Sequence, residues 1–119
     1  KDTSTAKIFL NDDESGHSMF IENKSFVQVD SKSLFDVFAD NRIEECNFLK
    51  LDCEGAEYDI IDSLPTEYLD KIQNMAIEYH LADTKPELIK NLILKIKNAG
   101  FKIKTVPHYD DMGFLIARK

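Results

Sequence analysis

Side chains that can carry chemistry stand at two points of the sequence, each at the end of a short apolar run. The first group is Asp52-Cys53-Glu54-Gly55, which follows Phe48-Leu49-Lys50-Leu51, and the second is Glu78-Tyr79-His80. Carboxylates and imidazoles transfer protons and bind metal ions. In open parallel sheets, ligands bind beyond the carboxyl ends of the strands. If both runs are strands of one sheet, these residues form one candidate site.

The spacing within the two runs predicts how the strands pair. Lys50 lies two residues before Asp52, and Glu78 lies two residues before His80. In adjacent parallel strands of matched register, Lys50 would face Glu78 and Asp52 would face His80 on one face of the sheet. We interpret Lys50 and Glu78 as a buried ion pair that fixes the register. Asp52 and His80 would then lie at the open end, where a base is useful.

Each of these residues also has a structural interpretation. Asp52 and Glu54 can cap the N-terminus of the helix that follows them. Glu57, in the first turn of that helix, can be no more than a partner of the helix dipole. His80 can simply be a solvated residue at a strand end. A divalent ion held by Asp52 and His80 stays an open alternative, and we assign no metal ligands.

The start of the chain predicts a small β element followed by a short helix. Strand patterns at residues 7–10 and 26–30 predict an antiparallel hairpin or meander. Ser33 stands three residues before Asp36, which is the spacing of a capping box, so a helix should begin there. The side chains of this helix that we expect in the core are Leu34, Phe35, Val37 and Phe38.

From Asn47 the pattern alternates between strands and helices. The order strand, helix, strand, helix, strand, turn, strand predicts right-handed crossovers and a parallel sheet covered on both faces, with an antiparallel strand at its C-terminal end. The clearest helix runs from Lys85 to Ala99, stops at Gly100, and should begin with a second capping box formed by Thr84 and Glu87. Its apolar stripe, expected to pack on the sheet, comprises Leu88, Ile89, Leu92, Ile93, Ile96 and Ala99.

Length and composition exclude several classes of protein. The 119 residues have the length of one domain, and the net charge of −7 works against binding nucleic acid. No apolar run approaches the roughly 20 residues that span a bilayer. The two cysteines, Cys46 and Cys53, lack the spacing of a metal or redox pair, so we expect free thiols and a cytoplasmic location. The chain begins with Lys1 rather than Met, which we interpret as a piece of a longer protein.

The segment from Phe48 to Glu57, FLKLDCEGAE, closely resembles the most distinctive segment of FkbM-type methyltransferases, an apolar strand that runs into Lys-x-Asp-x-Glu-Gly-x-Glu. Ser33-Leu34-Phe35-Asp36 is similar to the helix before that strand in the family, and Ile77-Glu78-Tyr79-His80 resembles the next strand. Gly100-Phe101 and the closing stretch 113–117 resemble the family's tail. The resemblance covers essentially the whole chain.

This resemblance implies a Rossmann-like enzyme that moves a methyl group from S-adenosylmethionine to a hydroxyl, often on a sugar, lipid or secondary metabolite. Asp52 would lie next to the methyl donor or the acceptor hydroxyl, and Glu54, Glu57 and His80 would lie around the acceptor. We also assign Glu78 to substrate binding. The resemblance places the cofactor over the first strands of the fold, beside a glycine-rich loop, but no Asp-x-Gly-Ala-Asn-x-Gly segment occurs here. We therefore expect weak or absent cofactor binding.

The predicted fold class is α/β, the C-terminal half of a Rossmann-like methyltransferase sheet. We expect one partial domain, with the hairpin and short helix in residues 1–46 and the half-sheet in 47–119. Two other classes stay open, a noncatalytic module that binds itself or a partner, and a small metal- or phosphate-binding domain. The loss of neighbouring strands would expose an apolar edge, so either a homodimer forms there or strands 7–10 and 26–30 fold back to cover it.

Overall fold

The computed structural model describes residues 4–9, 26–108 and 111–119. Six strands and four helices occupy these residues. In chain order they are β1 Ser4–Phe9, β2 Phe26–Ser31, α1 Leu34–Asp40, β3 Leu49–Asp52, α2 Glu57–Ser63, α3 Thr66–Leu69, β4 Asn74–Tyr79, α4 Pro86–Asn98, β5 Lys102–Pro107 and β6 Gly113–Arg118.

The first two strands and the first helix follow their sequence signals. β1 and β2 pair antiparallel, from Ser4 opposite Ser31 to Phe9 opposite Phe26, which confirms an antiparallel pair. Residue 10, the end of the first predicted strand, lies outside the described residues. The capping box of α1 is confirmed, because Ser33 Oγ accepts from the Asp36 N–H at 3.0 Å and the Ser33 N–H donates to Asp36 Oδ2 at 3.2 Å.

The remaining strands form one mixed sheet in the order β3-β4-β6-β5. β3 and β4 are parallel, whereas β6 runs antiparallel to both β4 and β5. The parallel crossovers and the antiparallel last strand are therefore as predicted. The carboxyl ends of β3 and β4 meet at one end of the sheet, which brings the two polar strand ends together.

The core lies on one face of this sheet, under α2 and α4. Leu92 and Ile96 of α4 are buried there, and Phe101, which follows this helix, is 4% exposed. The largest apolar core side chains with no or almost no exposure are Ile61, Leu64, Leu69, Ile72, Met75, Ile77, Ile96 and Leu115. The bounds of α4 agree with the predicted helix to within one residue at each end.

The prediction that both faces are covered is wrong for the part of the chain that the structure describes. Alternate residues of β3 and β4 on the other face, among them Lys50, Ala76 and Glu78, are exposed or partly exposed. The crossovers from β3 to β4 and from β4 to β5 move in the same direction across the sheet. Right-handed crossovers that move in one direction place their helices on the same face, and α2 and α4 do contact each other.

Two further predictions about local structure are wrong. Phe35 and Val37 of α1 are 40% and 38% exposed, because only Phe38 on this short helix points fully into the core. Thr84 does not cap α4, whose first turn has no side-chain cap. Its hydroxyl instead donates to Asp111 Oδ2 at 2.7 Å and its N–H donates to Asp111 Oδ1 at 2.8 Å, so Asp111 rather than α4 holds this residue.

No helix within the described ranges is long and apolar enough to cross a membrane.

Both cysteines, Cys46 and Cys53, are free, as predicted. Burial raises the pKa of the Cys53 thiol above its ordinary value, so this side chain stays protonated at neutral pH.

Candidate functional site

The turn after β3 holds the first group of candidate residues. β3 ends at Asp52, and a tight turn, closed by the Ala56 N–H donating to the Cys53 carbonyl at 3.1 Å, leads into α2. Glu54 and Gly55 both have a positive φ, 51° and 105°. A left-handed conformation is unusual for a glutamate. This conformation turns the chain sharply, so that the end of β3 and the start of α2 lie beside the same region.

The buried carboxylate of Glu57 holds His80 in place. Glu57 is completely buried, and its Oε2 accepts from the Gly55 N–H at 2.9 Å. Its Oε1 accepts from the His80 N–H at 2.8 Å and lies 3.0 Å from His80 Nδ1. A carboxylate with no proton can only accept, so Nδ1 carries a hydrogen and the ring orientation follows. Nε2 is thereby turned toward the open end of the strands.

Tyr58, beside Glu57 on α2, holds the backbone of the same histidine. Its hydroxyl donates to the His80 carbonyl oxygen. Burial, and then the negative charge of Glu57, raise the pKa of Tyr58 well above its ordinary value, so the hydroxyl remains a donor. The first turn of α2 therefore holds both the backbone and the ring of His80.

The pairing of β3 with β4 corrects the predicted register. The strands are adjacent and parallel, as expected, but Lys50 lies opposite Ala76, and Asp52 lies opposite Glu78. The expected buried pair between Lys50 and Glu78 is wrong, because the Lys50 side chain is 65% exposed and its Nζ lies 3.3 Å from Asp52 Oδ2. Lys50 thus offsets the repulsion between two acids that face each other across the strands.

Three of the predicted site residues nevertheless converge. One carboxylate oxygen each of Asp52 and Glu54 and a ring nitrogen of His80 lie within 4.8 Å of one another. His80 Nε2 is 3.6 Å from Glu54 Oε2. Glu57 lies behind this group, buried, and Glu78 lies beside Asp52 on the uncovered face of the sheet.

Asp111 is a residue of this region that the sequence reasoning missed. It precedes β6 and accepts three hydrogen bonds from the loop after β4, from the Asp83 N–H at 2.5 Å, the Thr84 N–H at 2.8 Å and the Thr84 hydroxyl. These bonds to Thr84, more than any other influence, hold the pKa of Asp111 below its ordinary value. The only signal in the sequence was an acidic turn, which does not reveal its partner.

Comparison with known proteins assigns the chain to a family. The FkbM methyltransferase domain matches residues 2–103. The chain belongs to the FkbM methyltransferase family. It is also similar to a protein of Beauveria bassiana (strain ARSEF 2860) named "Methyltransferase 1", with 36% identity over 78 residues. That match covers 65% of this chain and only 30% of the fungal protein. No solved structure matches the chain.

FkbM methyltransferases use S-adenosylmethionine, and the described residues do not by themselves fit this cofactor. Of the described glycines, Gly55 is enclosed between β3 and α2, while Gly100 and Gly113 precede β5 and begin β6. None of them forms a glycine-rich turn between a strand and a helix that would let the backbone approach a nucleoside.

Proposed function

We propose that this chain is the acceptor-side half of an S-adenosylmethionine-dependent methyltransferase that methylates a hydroxyl group of a sugar, lipid or secondary metabolite. In this proposal residues 47–119 are the C-terminal half of a Rossmann-like sheet, and residues 1–46 are an appended hairpin and helix. The observation that carries it is the His80 ring, which Glu57 holds with Nε2 3.6 Å from Glu54 Oε2, in the group that Asp52 also joins. Family membership supplies the reaction type.

A hydroxyl becomes a better nucleophile when a base takes its proton, and the orientation of the His80 ring supports His80 as that base. Nε2 faces the open end of the sheet, and Glu57 stabilises the positive charge that the ring gains on accepting a proton. We therefore assign Glu57 to positioning His80 rather than to contact with the substrate. Asp52 would lie next to the methyl donor or the acceptor hydroxyl. Glu54 and Glu78 are exposed enough to bind further hydroxyls of the acceptor.

Methyl transfer by the complete product of the gene that encodes this chain tests the proposal. Tritium-labelled S-adenosylmethionine and a panel of sugar, lipid and polyketide alcohols should give a methyl ether. His80→Gln should lower the rate by about 10²–10⁴-fold, the usual contribution of a general base. Asp59→Asn, which removes an exposed carboxylate from α2, is the matched control and should leave the rate unchanged.

Two results would contradict this assignment. One is a methyl group found on nitrogen or sulfur, and the other is an undiminished rate in His80→Gln. The 119-residue chain alone should bind S-adenosylmethionine weakly or not at all in calorimetry. A micromolar dissociation constant for the chain alone would show that the cofactor site lies within these residues.

A second candidate function, a noncatalytic module that associates with itself, is favoured by the outer edge of β3. β1 and β2 pair with each other and not with β3, so no described strand covers this edge. Phe48, next to it, is 60% exposed. The opposite edge strand, β5, carries Lys102 and Lys104, which are the kind of charges that deter pairing. On the β3 edge, Lys50 is bound to Asp52.

If the β3 edge pairs with a second copy, the chain should form a homodimer whose fraction rises with protein concentration. Phe48→Lys should shift the equilibrium toward the monomer because it adds charge to the edge. Val106→Lys places the same charge on β5, where Val106 is 44% exposed, and should have no such effect. Sedimentation velocity measures the equilibrium. A monomer at every concentration would rule the dimer out.

A further inference from the structure

We propose that Asp52, Glu54 and His80 bind one divalent first-row transition-metal ion, such as Mn²⁺ or Zn²⁺, at the carboxyl ends of β3 and β4. The ligand atoms would be one carboxylate oxygen each of Asp52 and Glu54 and Nε2 of His80. Glu57 would be the outer carboxylate that orients the histidine. The binding itself does not depend on the proposed methyl transfer.

The distances between the three ligand atoms are already close to those around a bound metal ion. Ligand atoms that share one ion at about 2.0–2.2 Å are at most about 4.4 Å apart. The three ligand atoms here lie within 4.8 Å of one another. Because the side chains of Asp52 and Glu54 are 39% and 50% exposed, small rotations of their outer bonds can close the difference.

The orientation of the His80 ring supplies a second argument. Nδ1 lies 3.0 Å from Oε1 of the buried Glu57, so the other ring nitrogen, Nε2, points away from that carboxylate. Nε2 lies 3.6 Å from Glu54 Oε2. An imidazole nitrogen beside carboxylate oxygens is a set of ligands that Mn²⁺ and Zn²⁺ accept.

The surroundings of the three side chains also favour a metal ion. Histidine that ligates a metal typically donates its other N–H to a carboxylate, which is the relation of His80 to Glu57. Glu78 lies opposite Asp52, so the local charge is negative, and the cationic side chain at Asp52 is that of the exposed Lys50. A single imidazole with two carboxylates suits Mn²⁺ or Zn²⁺, whereas Ca²⁺ takes six to eight oxygens.

The same geometry leaves positions on the ion open. The three ligands would come from the end of β3, the turn after it and the end of β4. Solvent reaches this end of the sheet, because two of the three ligands are substantially exposed. An oxygen ligand from outside the protein, such as water or a hydroxyl, can occupy these positions. That an acceptor hydroxyl binds there rests on the proposed function, and while an ion is bound, the ion rather than His80 Nε2 would promote the loss of the hydroxyl proton.

Titration of the metal-free 119-residue chain with MnCl₂, followed by the loss of the electron paramagnetic resonance signal of free Mn²⁺, tests the site. We expect one ion per chain. Asp52→Asn, Glu54→Gln and His80→Gln should each abolish this binding, and Glu57→Gln should weaken it by about 10–100-fold through misorientation of His80. Asp59→Asn, which replaces an exposed carboxylate on α2, should bind Mn²⁺ as the unchanged chain does.

Nuclear magnetic resonance of the imidazole nitrogens identifies the ring nitrogen that binds the ion. Addition of ZnCl₂ should shift Nε2 of His80 and leave His108 unchanged. A hydrogen on Nε2 that persists at saturating ZnCl₂, no stoichiometric Mn²⁺ binding, or equal weakening by Asp59→Asn would each overturn the proposal. Since no methyl donor is present in these experiments, their failure does not bear on the methyltransferase assignment.

Discussion

Replacing Glu57 with alanine should lower the free energy of unfolding by roughly 2–6 kcal/mol, because the substitution leaves two or more buried donors without a partner at about 1–3 kcal/mol each. Two of them are the backbone N–H groups of Gly55 and His80, which give this range, and the ring nitrogen Nδ1 of His80 loses the same carboxylate. Glu57 is completely buried, so water does not readily replace its carboxylate. Urea denaturation followed by circular dichroism measures the loss.

Two matched variants separate the hydrogen bonds from the other effects of Glu57. Glu57→Gln keeps one acceptor oxygen and should cost clearly less than Glu57→Ala. Asp59→Ala removes an exposed acid from the same first turn of α2, where the interaction with the helix dipole contributes about 0.3–1 kcal/mol. If Glu57→Ala costs no more than Asp59→Ala, Glu57 does not organise this site.

The second large effect is expected at Leu92 in the middle of α4. Leu92→Ala should lower the free energy of unfolding by about 2–5 kcal/mol, the range measured when a buried leucine is truncated. Leu92 is 4% exposed and faces the sheet together with the fully buried Ile96. The same denaturation experiment measures the change.

Leu94 provides the control on the same helix. It is 58% exposed, so Leu94→Ala should change stability by less than about 0.5 kcal/mol, as surface substitutions usually do. Both substitutions also replace leucine with the better helix former, so the difference between them reports burial. A loss below about 1 kcal/mol in Leu92→Ala would mean that α4 does not cover the core.

Local patterns predicted most of the elements correctly, for a physical reason that holds within one segment. The spacing of Ser33 and Asp36 predicts a capping box because both partners lie in one helical turn. The stripe that contains Leu92 and Ile96 predicts the buried side of α4, since the helical period alone brings these side chains to one face. The alternation of strands and helices after Asn47 likewise predicts the parallel pair, which β3 and β4 form.

The predictions of register and capping were wrong where the partner of a residue lies far away in the sequence. Side chains in a strand alternate with period two, so a shift of two residues keeps every side chain on its face, and the pattern cannot separate the two registers. The real register is set upstream, where the Gln73 N–H donates to the Cys46 carbonyl at 2.9 Å. Thr84 illustrates the same limit, because its partner Asp111 lies 27 residues away.

The sequence by itself determined that Asp52, Glu54, Glu57 and His80 belong to one region, since parallel strands bring their carboxyl ends together. Only the tertiary structure decided their separate roles. Glu57 and Glu54 are the same residue type three positions apart, but α2 turns the first into the core, onto His80, and leaves the second half exposed. Burial and partner depend on the packing of α2 against β4, which no local pattern encodes.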